Sequence, residues 1–154
     1  MAVHPAGAGS ELDLERIKEM IPHRDPFLFI ERVTDLVSGT TAVGVKRVTG
    51  EEDFFRGHFP SRKVMPGVLI IETMAQTAAV LVVHTLGPSF EGKLVYFMSV
   101  EKARFRKPVM PGALLKVKVD CIHHRRSVWK FEGVATVGEQ RVAEATFTAM
   151  ILDE

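Results

Sequence analysis

The sequence predicts an α+β domain in which one long helix is wrapped by an antiparallel sheet. The helix is indicated by an apolar run over residues 67–86, which Pro66-Gly67 starts and Gly87-Pro88 ends. The sheet is indicated by the segments that follow, because the hydrophobic period changes there from about 3.6 to about 2. Alternating apolar and polar residues separated by short turns are typical of antiparallel strands with one face in water.

The chain has the size and composition of one domain. It has 154 residues, of which 46% are hydrophobic and 25% are charged. A chain of this length buries roughly 68–70% of its unfolded surface and needs no disulfide or metal to fold. We assign residues 11–154 to that domain. Residues 1–10 lack the basic start and apolar run of a secretion signal and are interpreted as a flexible lead-in.

Three elements are predicted before the long helix. Apolar residues at helical spacing predict a short amphipathic helix over residues 12–20, which Pro22 ends. Residues 27–33 and 40–49 are predicted to be strands. A loop rich in Phe, Gly and Pro, residues 54–67, then leads into the long helix.

Four strands are predicted after the long helix, over residues 94–105, 115–121, 129–137 and 143–151, with a turn over residues 108–112. The helix itself is apolar around most of its circumference and is therefore expected to be buried nearly all round. Glu72 and Gln76 are one turn apart and share the same narrow stripe of it.

Charge, cysteine content and motifs exclude several function classes. Lysine and arginine number 20 against 19 acidic residues, so a generally polybasic surface for nucleic acid is excluded. The single cysteine, Cys121, favours a reducing compartment.

The apolar stretch 68–83 is short for a bilayer span and contains Glu72, so we expect a soluble, cytoplasmic protein. HExxH, paired CxxC and glycine-rich phosphate motifs are absent from the sequence, so no metal or cofactor is expected. The histidines other than His58, including His23, are interpreted as surface, turn or packing residues.

Two titratable residues are unusual for their surroundings. Glu72 falls in the first turns of a helix that should be buried. Burying a carboxylate there costs free energy unless the group is paired, hydrated or functional. His58 stands among apolar residues and proline in Gly57-His58-Phe59-Pro60. Each alone has a structural explanation: Glu72 could face an exposed seam or an arginine, and His58 could bond to its own loop. Together they have the chemistry of a base and an acid on either side of a small substrate.

The start of the long helix adds a group that can polarise a carbonyl. The first-turn N–H groups are free, and Gly67 has no side chain to keep a ligand away. Such an oxyanion hole beside a base and an acid suits proton abstraction next to a thioester or ketone, followed by loss of a β-substituent. Gln76 is expected to orient Glu72, and Phe59 and Tyr96 are candidates for the walls of the substrate cavity.

Several further motifs occur in a fixed order along the chain. They are Pro22-His23-Arg24 with Pro26-Phe27-Leu28, Gly57-His58-Phe59-Pro60, Met65-Pro66-Gly67-Val68-Leu69, Glu72 with Met74-Ala75-Gln76, and Ala103-Arg104-Phe105-Arg106 with Pro108 and Pro111-Gly112. This set resembles the motifs of the (3R)-hydroxyacyl-acyl-carrier-protein dehydratases of the FabZ type, over nearly the whole chain after residue 11. The related FabA-type dehydratase-isomerases use Asp at the acid position, so Glu72 favours the FabZ type.

The resemblance implies a hot-dog fold and a substrate carried by acyl carrier protein. It implies that His58 and Glu72 are catalytic and that each active site of a dimer combines the histidine of one protomer with the glutamate of the other. Further assembly as a trimer of dimers is also implied, as is an apolar tunnel for the acyl chain along the dimer interface.

Some positions depart from the family pattern. Ser61-Arg62-Lys63 stands where the family usually has Gly-Lys-Pro, and Ala113 stands where it usually has Asp. Asp25 replaces a usual aromatic residue, and Thr73 replaces a usual Ala. None of these changes removes a proposed catalytic group. The changes at 61–63 lie in the loop between His58 and the long helix, so we expect them to affect loop geometry, substrate length or rate.

Acyl carrier proteins are acidic, so the resemblance also predicts a basic docking patch. The candidates are Lys102, Arg104, Arg106 and Lys107 near one strand end, and Arg125-Arg126 at a hairpin turn. A solvated sheet edge would carry similar charges. Nucleic acid is a weaker partner for these bases because no aromatic side chains interleave them.

Two other functions remain open for this fold. Hot-dog thioesterases use a carboxylate to activate water against the same carbonyl. An acyl-chain binding module would bind the same ligands without catalysis. The fold alone does not separate these functions from dehydration.

Overall fold

Seven antiparallel strands form one sheet around the long helix. A computed structural model describes residues 9–152. Its helices and strands are β1 (Ser10–Leu12), α1 (Leu14–Met20), β2 (Arg32–Val37), β3 (Thr41–Arg47), α2 (Gly67–Leu86), β4 (Val95–Phe105), β5 (Leu114–Arg125), β6 (Val128–Val137) and β7 (Gln140–Ile151), with short 3-10 helices at Asp53–Arg56 and Pro88–Phe90. The strand order is β1-β2-β3-β5-β6-β7-β4.

Helix α2 is the core around which the sheet curls. Twelve of its residues are buried, and it contacts β3, β5, β6 and β7. The approach of β3 depends on Gly44, because a Cβ there would lie 2.0 Å from Oγ1 of Thr77. By length and composition α2 could cross a membrane, but 67% of its most apolar window is buried inside the molecule. It is therefore the core helix, as its all-round apolar surface predicts.

Most predicted elements are confirmed. Helix α2 has the predicted bounds, β3 lies within the predicted strand, and β4 to β7 occupy the four segments predicted after the helix. Strands β5, β6 and β7 pair consecutively, whereas β4 joins the sheet on the far side of β7. The short first helix begins at Leu14, where Asp13 caps it by accepting a hydrogen bond from the N–H of Arg16.

The strand predicted over residues 27–33 is largely wrong. Strand β2 begins only at Arg32 and runs on to Val37. The backbone of Phe27 and Phe29 is hydrogen-bonded to a side chain of α2 instead of to a neighbouring strand. Strand β1 was not predicted: it starts at Ser10, inside the expected lead-in, while residues 1–8 lie outside the described residues.

Strand β4 is a long edge strand that carries apolar side chains. Ten of its eleven residues are exposed. The large apolar ones are Tyr96, Phe97, Met98, Val100 and Phe105. Exposed edges of this kind are normally blunted or covered, because their free N–H and C=O groups pair readily with another strand.

Candidate active site

His58 is held in one tautomer by its own loop. Its Nδ1 lies 2.8 Å from the carbonyl oxygen of Val64. Since a carbonyl can only accept, Nδ1 carries the ring hydrogen and Nε2 presents a lone pair. The ring stacks on Phe59 with centroids 4.1 Å apart, which leaves Nε2 as the basic atom of a half-buried imidazole.

His58 opens into a cavity of about 370 Å³ at the start of α2. Gly67 and Val68 line one side of it, and Phe105, Arg106 and Lys107 line another. The surface is mainly apolar, with two cations at its edge. Phe59, expected in a cavity wall, is not among the lining residues and contacts the ring of His58 instead.

The first turn of α2 has free donors, as predicted. Within residues 9–152, the N–H groups of Gly67 and Val68 donate to no protein acceptor, whereas those of Leu69 and Ile70 bond to Pro66. The reason for glycine at position 67 differs from the prediction. A Cβ there would lie 2.7 Å from two ring atoms of Phe105, so the missing side chain makes room for that ring.

Gln76, which is expected to orient Glu72, is hydrogen-bonded to it. Nε2 of Gln76 donates to Oε2 of Glu72 across 3.0 Å. The amide cannot be reversed, because its oxygen accepts from the N–H of Phe29 at 2.9 Å and its nitrogen also donates to the carbonyl of Phe27 at 2.6 Å. Gln76 is fully buried and presents a fixed N–H to one carboxyl oxygen.

Glu72 opens into a second cavity, of about 160 Å³. Its other lining residues are His23, Ala75, Ala79, Val95, Tyr96, Phe97 and Ala149. The lining is apolar apart from Glu72, His23 and the hydroxyl of Tyr96. Tyr96 thus lies in a cavity wall, as expected.

His23 is the residue of this cavity that the sequence interpretation missed. Its Nε2 is 3.6 Å from Oε2 of Glu72. Burial lowers the pKa of His23 below its usual value, and the charge of Arg24 lowers it further. The charge of Glu72 acts in the opposite direction but does not outweigh burial. The only signal in the sequence was its place in the Pro22-His23-Arg24 motif.

His58 and Glu72 do not share a cavity within one chain. No residue lines both cavities, and no contact between the two side chains occurs in residues 9–152. The Glu72 cavity lies at the Val95 end of β4, and the His58 cavity lies at its Phe105 end.

The predicted docking cations fall into three places. Arg106 and Lys107 line the His58 cavity, and Arg106 also pairs with Glu144. Lys102 and Arg104 line a separate groove of about 400 Å³ on β4, β6 and β7, together with Glu132 and Glu144. Arg125 and Arg126 lie at the other end of the sheet, near Tyr96. Arg125 pairs with Val128, Val128 pairs with Met150, and Met150 pairs with Tyr96.

The departures from the family pattern lie outside both cavities. Lys63 donates from Nζ to the carbonyl of Gly50 at 3.0 Å, and the hydroxyl of Thr73 donates to the carbonyl of Leu69 at 2.7 Å. Ala113 lines a neighbouring groove near Pro111. Asp25 lines another groove, which lies beside α1. These positions act on loops and packing, not on the two candidate cavities.

Sequence comparison decides the family. Residues 21–146 match the FabA-like domain. A 3-hydroxyacyl-[acyl-carrier-protein] dehydratase FabZ of Rhodospirillum rubrum is 63% identical over 143 residues, which is 93% of this chain and 89% of that protein. The corresponding protein of Gluconacetobacter diazotrophicus is 58% identical over 154 residues, 97% of this chain and 96% of its own length. This chain belongs to the FabZ family.

Solved structures confirm the hot-dog fold of this FabZ-family chain. The dehydratase heterocomplex ApeI:P from Xenorhabdus doucetiae superimposes with a TM-score of 0.74 at 17% identity, over 90% of this chain and 91% of that one. A hot-dog-like protein from Thermanaerovibrio acidaminovorans has a TM-score of 0.60 at 19% identity, over 75% of this chain and 82% of that one.

Proposed function

We propose that this chain dehydrates (3R)-3-hydroxyacyl thioesters of acyl carrier protein to trans-2-enoyl thioesters, in type II fatty acid biosynthesis. Membership of the FabZ family is the observation that carries the proposal, since relatives with that activity in their names are 63% identical over most of both chains. Cys121, the single cysteine of the sequence, is a free thiol, which fits the cytoplasmic location that we include in the proposal.

The proposed chemistry assigns each step to a group with suitable geometry. The thioester carbonyl lies at the start of α2, where the N–H of Gly67 stabilises the developing enolate charge. Nε2 of His58 takes the α-proton, because the carbonyl of Val64 already occupies Nδ1. Glu72 gives a proton to the β-hydroxyl, the C–O bond breaks, and water leaves.

The fixed amide of Gln76 supports a choice between the two oxygens of Glu72. Oε2 accepts the N–H of Gln76, and Oε1 accepts no hydrogen bond from residues 9–152. A proton on Oε2 would compete with that N–H, so the acid proton belongs on Oε1. Oε1 is then the atom that faces the β-hydroxyl.

The separation of the two cavities supports an active site shared between two copies of the chain. We propose that the exposed edge of β4 pairs with β4 of a second copy. In a two-fold dimer the same strand meets itself antiparallel, so the Val95 end of one copy meets the Phe105 end of the other. The Glu72 cavity of one chain then adjoins the partner subunit's His58.

The same pairing supports a basic surface for the acidic carrier protein. Arg106 and Lys107 lie at the Phe105 end of β4, whereas Arg125 and Arg126 lie at the Tyr96 end. Antiparallel pairing brings these two ends from different copies to one end of the joined sheet. The two groups of cations, which are apart in one chain, then flank the same entrance.

The test is direct observation of the product. Purified protein is incubated with a short (3R)-3-hydroxyacyl thioester of acyl carrier protein, and the absorbance of the conjugated enoyl thioester is followed. We expect His58→Ala and Glu72→Gln each to lower the rate by about 10²- to 10⁴-fold without changing the oligomer. Matched controls, His84→Ala on α2 and Glu139→Gln in the exposed turn between β6 and β7, should retain activity.

Two outcomes would overturn the proposal in favour of the alternative functions. Release of free thiol without enoyl product would indicate a thioesterase. Binding of acyl ligands by the wild-type protein without turnover would indicate a binding module. Unchanged turnover in either site variant would remove that residue from the mechanism.

A further inference from the structure

His23 lies in the Glu72 cavity without a role in the proposed chemistry. It follows α1 in the turn that leads to the Phe27–Phe29 segment, and its side chain is only 23% exposed. It faces the same apolar space as Tyr96 and Phe97. A polar ring in such a cavity calls for an explanation.

The position of His23 defines one side of the Glu72 carboxyl group. Its Nε2 lies 3.6 Å from Oε2 of Glu72, which is too long for a hydrogen bond but within direct contact range for two polar groups. Oε2 also accepts the N–H of Gln76. Two nitrogen atoms from different elements therefore approach Oε2, whereas Oε1 accepts no hydrogen bond from residues 9–152.

Packing alone does not account for a histidine at this position. The other ring nitrogen of His23, Nδ1, is buried and has no hydrogen-bond partner among residues 9–152. Buried polar atoms without partners are rare because they lose hydration and gain nothing in return. A phenylalanine or leucine would fill this space without that loss.

The charge state of His23 fits a neighbour of a proton donor. Burial keeps its pKa below the usual value, so the ring is neutral near neutral pH. A neutral ring packs beside the carboxyl group and adds no positive charge to the cavity.

We propose that His23 is a positioning residue for Glu72: with Gln76 it encloses Oε2 and keeps Oε1 directed at the substrate. This inference rests on the proposed function. During turnover the proton on Oε1 passes to the β-hydroxyl, which leaves as water, while His58 receives the α-proton. One proton returned from His58 to Glu72 through solvent restores both groups. His23 keeps the same protonation state throughout.

The test compares variants that separate ring shape from the polar nitrogen. His23→Phe keeps the ring and removes both nitrogens, whereas His23→Gln keeps a polar nitrogen in place of Nε2. We expect His23→Phe to lower kcat by about 10- to 100-fold, because a small misplacement of a reacting group has an effect of that size. KM should remain nearly unchanged. His23→Gln should retain most of the wild-type kcat. His84→Phe is the matched control, a half-buried histidine whose pKa is also lowered by burial and that lies outside both cavities. It should leave kcat unchanged.

A double variant shows whether His23 acts through Glu72. In a Glu72→Gln background, His23→Phe should lower the residual rate no further, because the group that it positions is gone. If His23→Phe does not fold, His23→Leu takes its place in both comparisons. Wild-type kcat in His23→Phe, or an equal loss in the Phe and Gln variants, would overturn the inference. Absence of dehydration by the wild-type protein would instead refute the proposed function.

Discussion

The amide of Gln76 joins the carboxyl group of Glu72 to the backbone of a distant loop. Its nitrogen donates to Oε2 of Glu72 at 3.0 Å, and the same amide bonds to the backbone of Phe27 and Phe29. A buried side chain on the core helix thus orients the proposed acid and also fixes the segment after His23. The orientation of Glu72 and the conformation of this loop are therefore coupled.

Replacement of Gln76 by Leu should damage both stability and catalysis. The N–H of Phe29 and the carbonyl of Phe27 would lose their partner in a buried place, which costs about 1–3 kcal/mol. Glu72 would lose its fixed donor, so kcat should fall more than KM changes. Urea unfolding and steady-state kinetics measure the two effects. Thr77→Val is the matched control, because Thr77 is as buried on α2 but bonds only to the carbonyl of Thr73. Wild-type kcat in Gln76→Leu would contradict the orienting role.

Replacement of Gly67 by Ala should act through Phe105. The new methyl group would lie 2.7 Å from the ring, so this half-exposed ring has to move aside, at a cost of about 0.5–1.5 kcal/mol when it leaves its preferred rotamer. Because that ring lines the His58 cavity, kcat should fall as well. In a double-mutant cycle, Phe105→Leu should relieve most of the cost of Gly67→Ala. Additive losses of unfolding free energy would show that the two residues do not interact.

A charge in the middle of β4 should separate the subunits. Val100 is exposed near the centre of the strand, so two copies would meet there close to the two-fold axis. Val100→Lys places like charges opposite each other, which disfavours strand pairing. Sedimentation should report a monomer, and dehydration should be lost. Glu11→Lys on β1, the other edge of the sheet, is the control and should change neither the oligomeric state nor the activity. A Val100→Lys protein that stays dimeric would indicate a different interface.

Glu52 should contribute acid-sensitive stability to the loop before His58. Burial alone would raise the pKa of Glu52, but the N–H groups of Thr49, Gly50 and Glu52 and Nζ of Lys46 together lower it to about 2. The folded pKa is thus below the ordinary value of 4.5. The stabilisation, about 3 kcal/mol at neutral pH, should be complete above pH 4.5 and decline as the pH falls toward 2. Urea unfolding of Glu52→Gln against wild type should show a large difference at pH 7 that shrinks near pH 2; a constant difference would contradict this.

The sequence was sufficient for the elements whose pattern is local. Helix α2 is bounded by Gly67 and Gly87, and strands β5 to β7 alternate apolar and polar residues, so their positions follow from neighbouring residues alone. The strand predicted over residues 27–33 failed for a non-local reason. Its apolar residues resemble a strand, but the partner of that backbone is the side chain of Gln76, far along the chain.

The residues proposed for the site could be chosen from the sequence, but their arrangement in space could not. His58 and Glu72 are recognisable from their motifs, and the bond from Gln76 follows from helical spacing. His23 was missed because its significance depends on its 3.6 Å approach to Glu72, which no spacing predicts. The division of the cations among three places likewise depends on strand register, which the sequence does not specify.

In the proposed dimer, each active site takes its base from one chain and its acid from the other. The most direct measurement mixes His58→Ala and Glu72→Gln, each inactive alone, after unfolding and refolding them together in equal amounts. Random pairing makes half of the dimers mixed, and each mixed dimer contains one intact shared site out of two. We predict recovery of about a quarter of the wild-type rate. No recovery from a mixture that demonstrably exchanges subunits would contradict the shared site and place both groups in one chain.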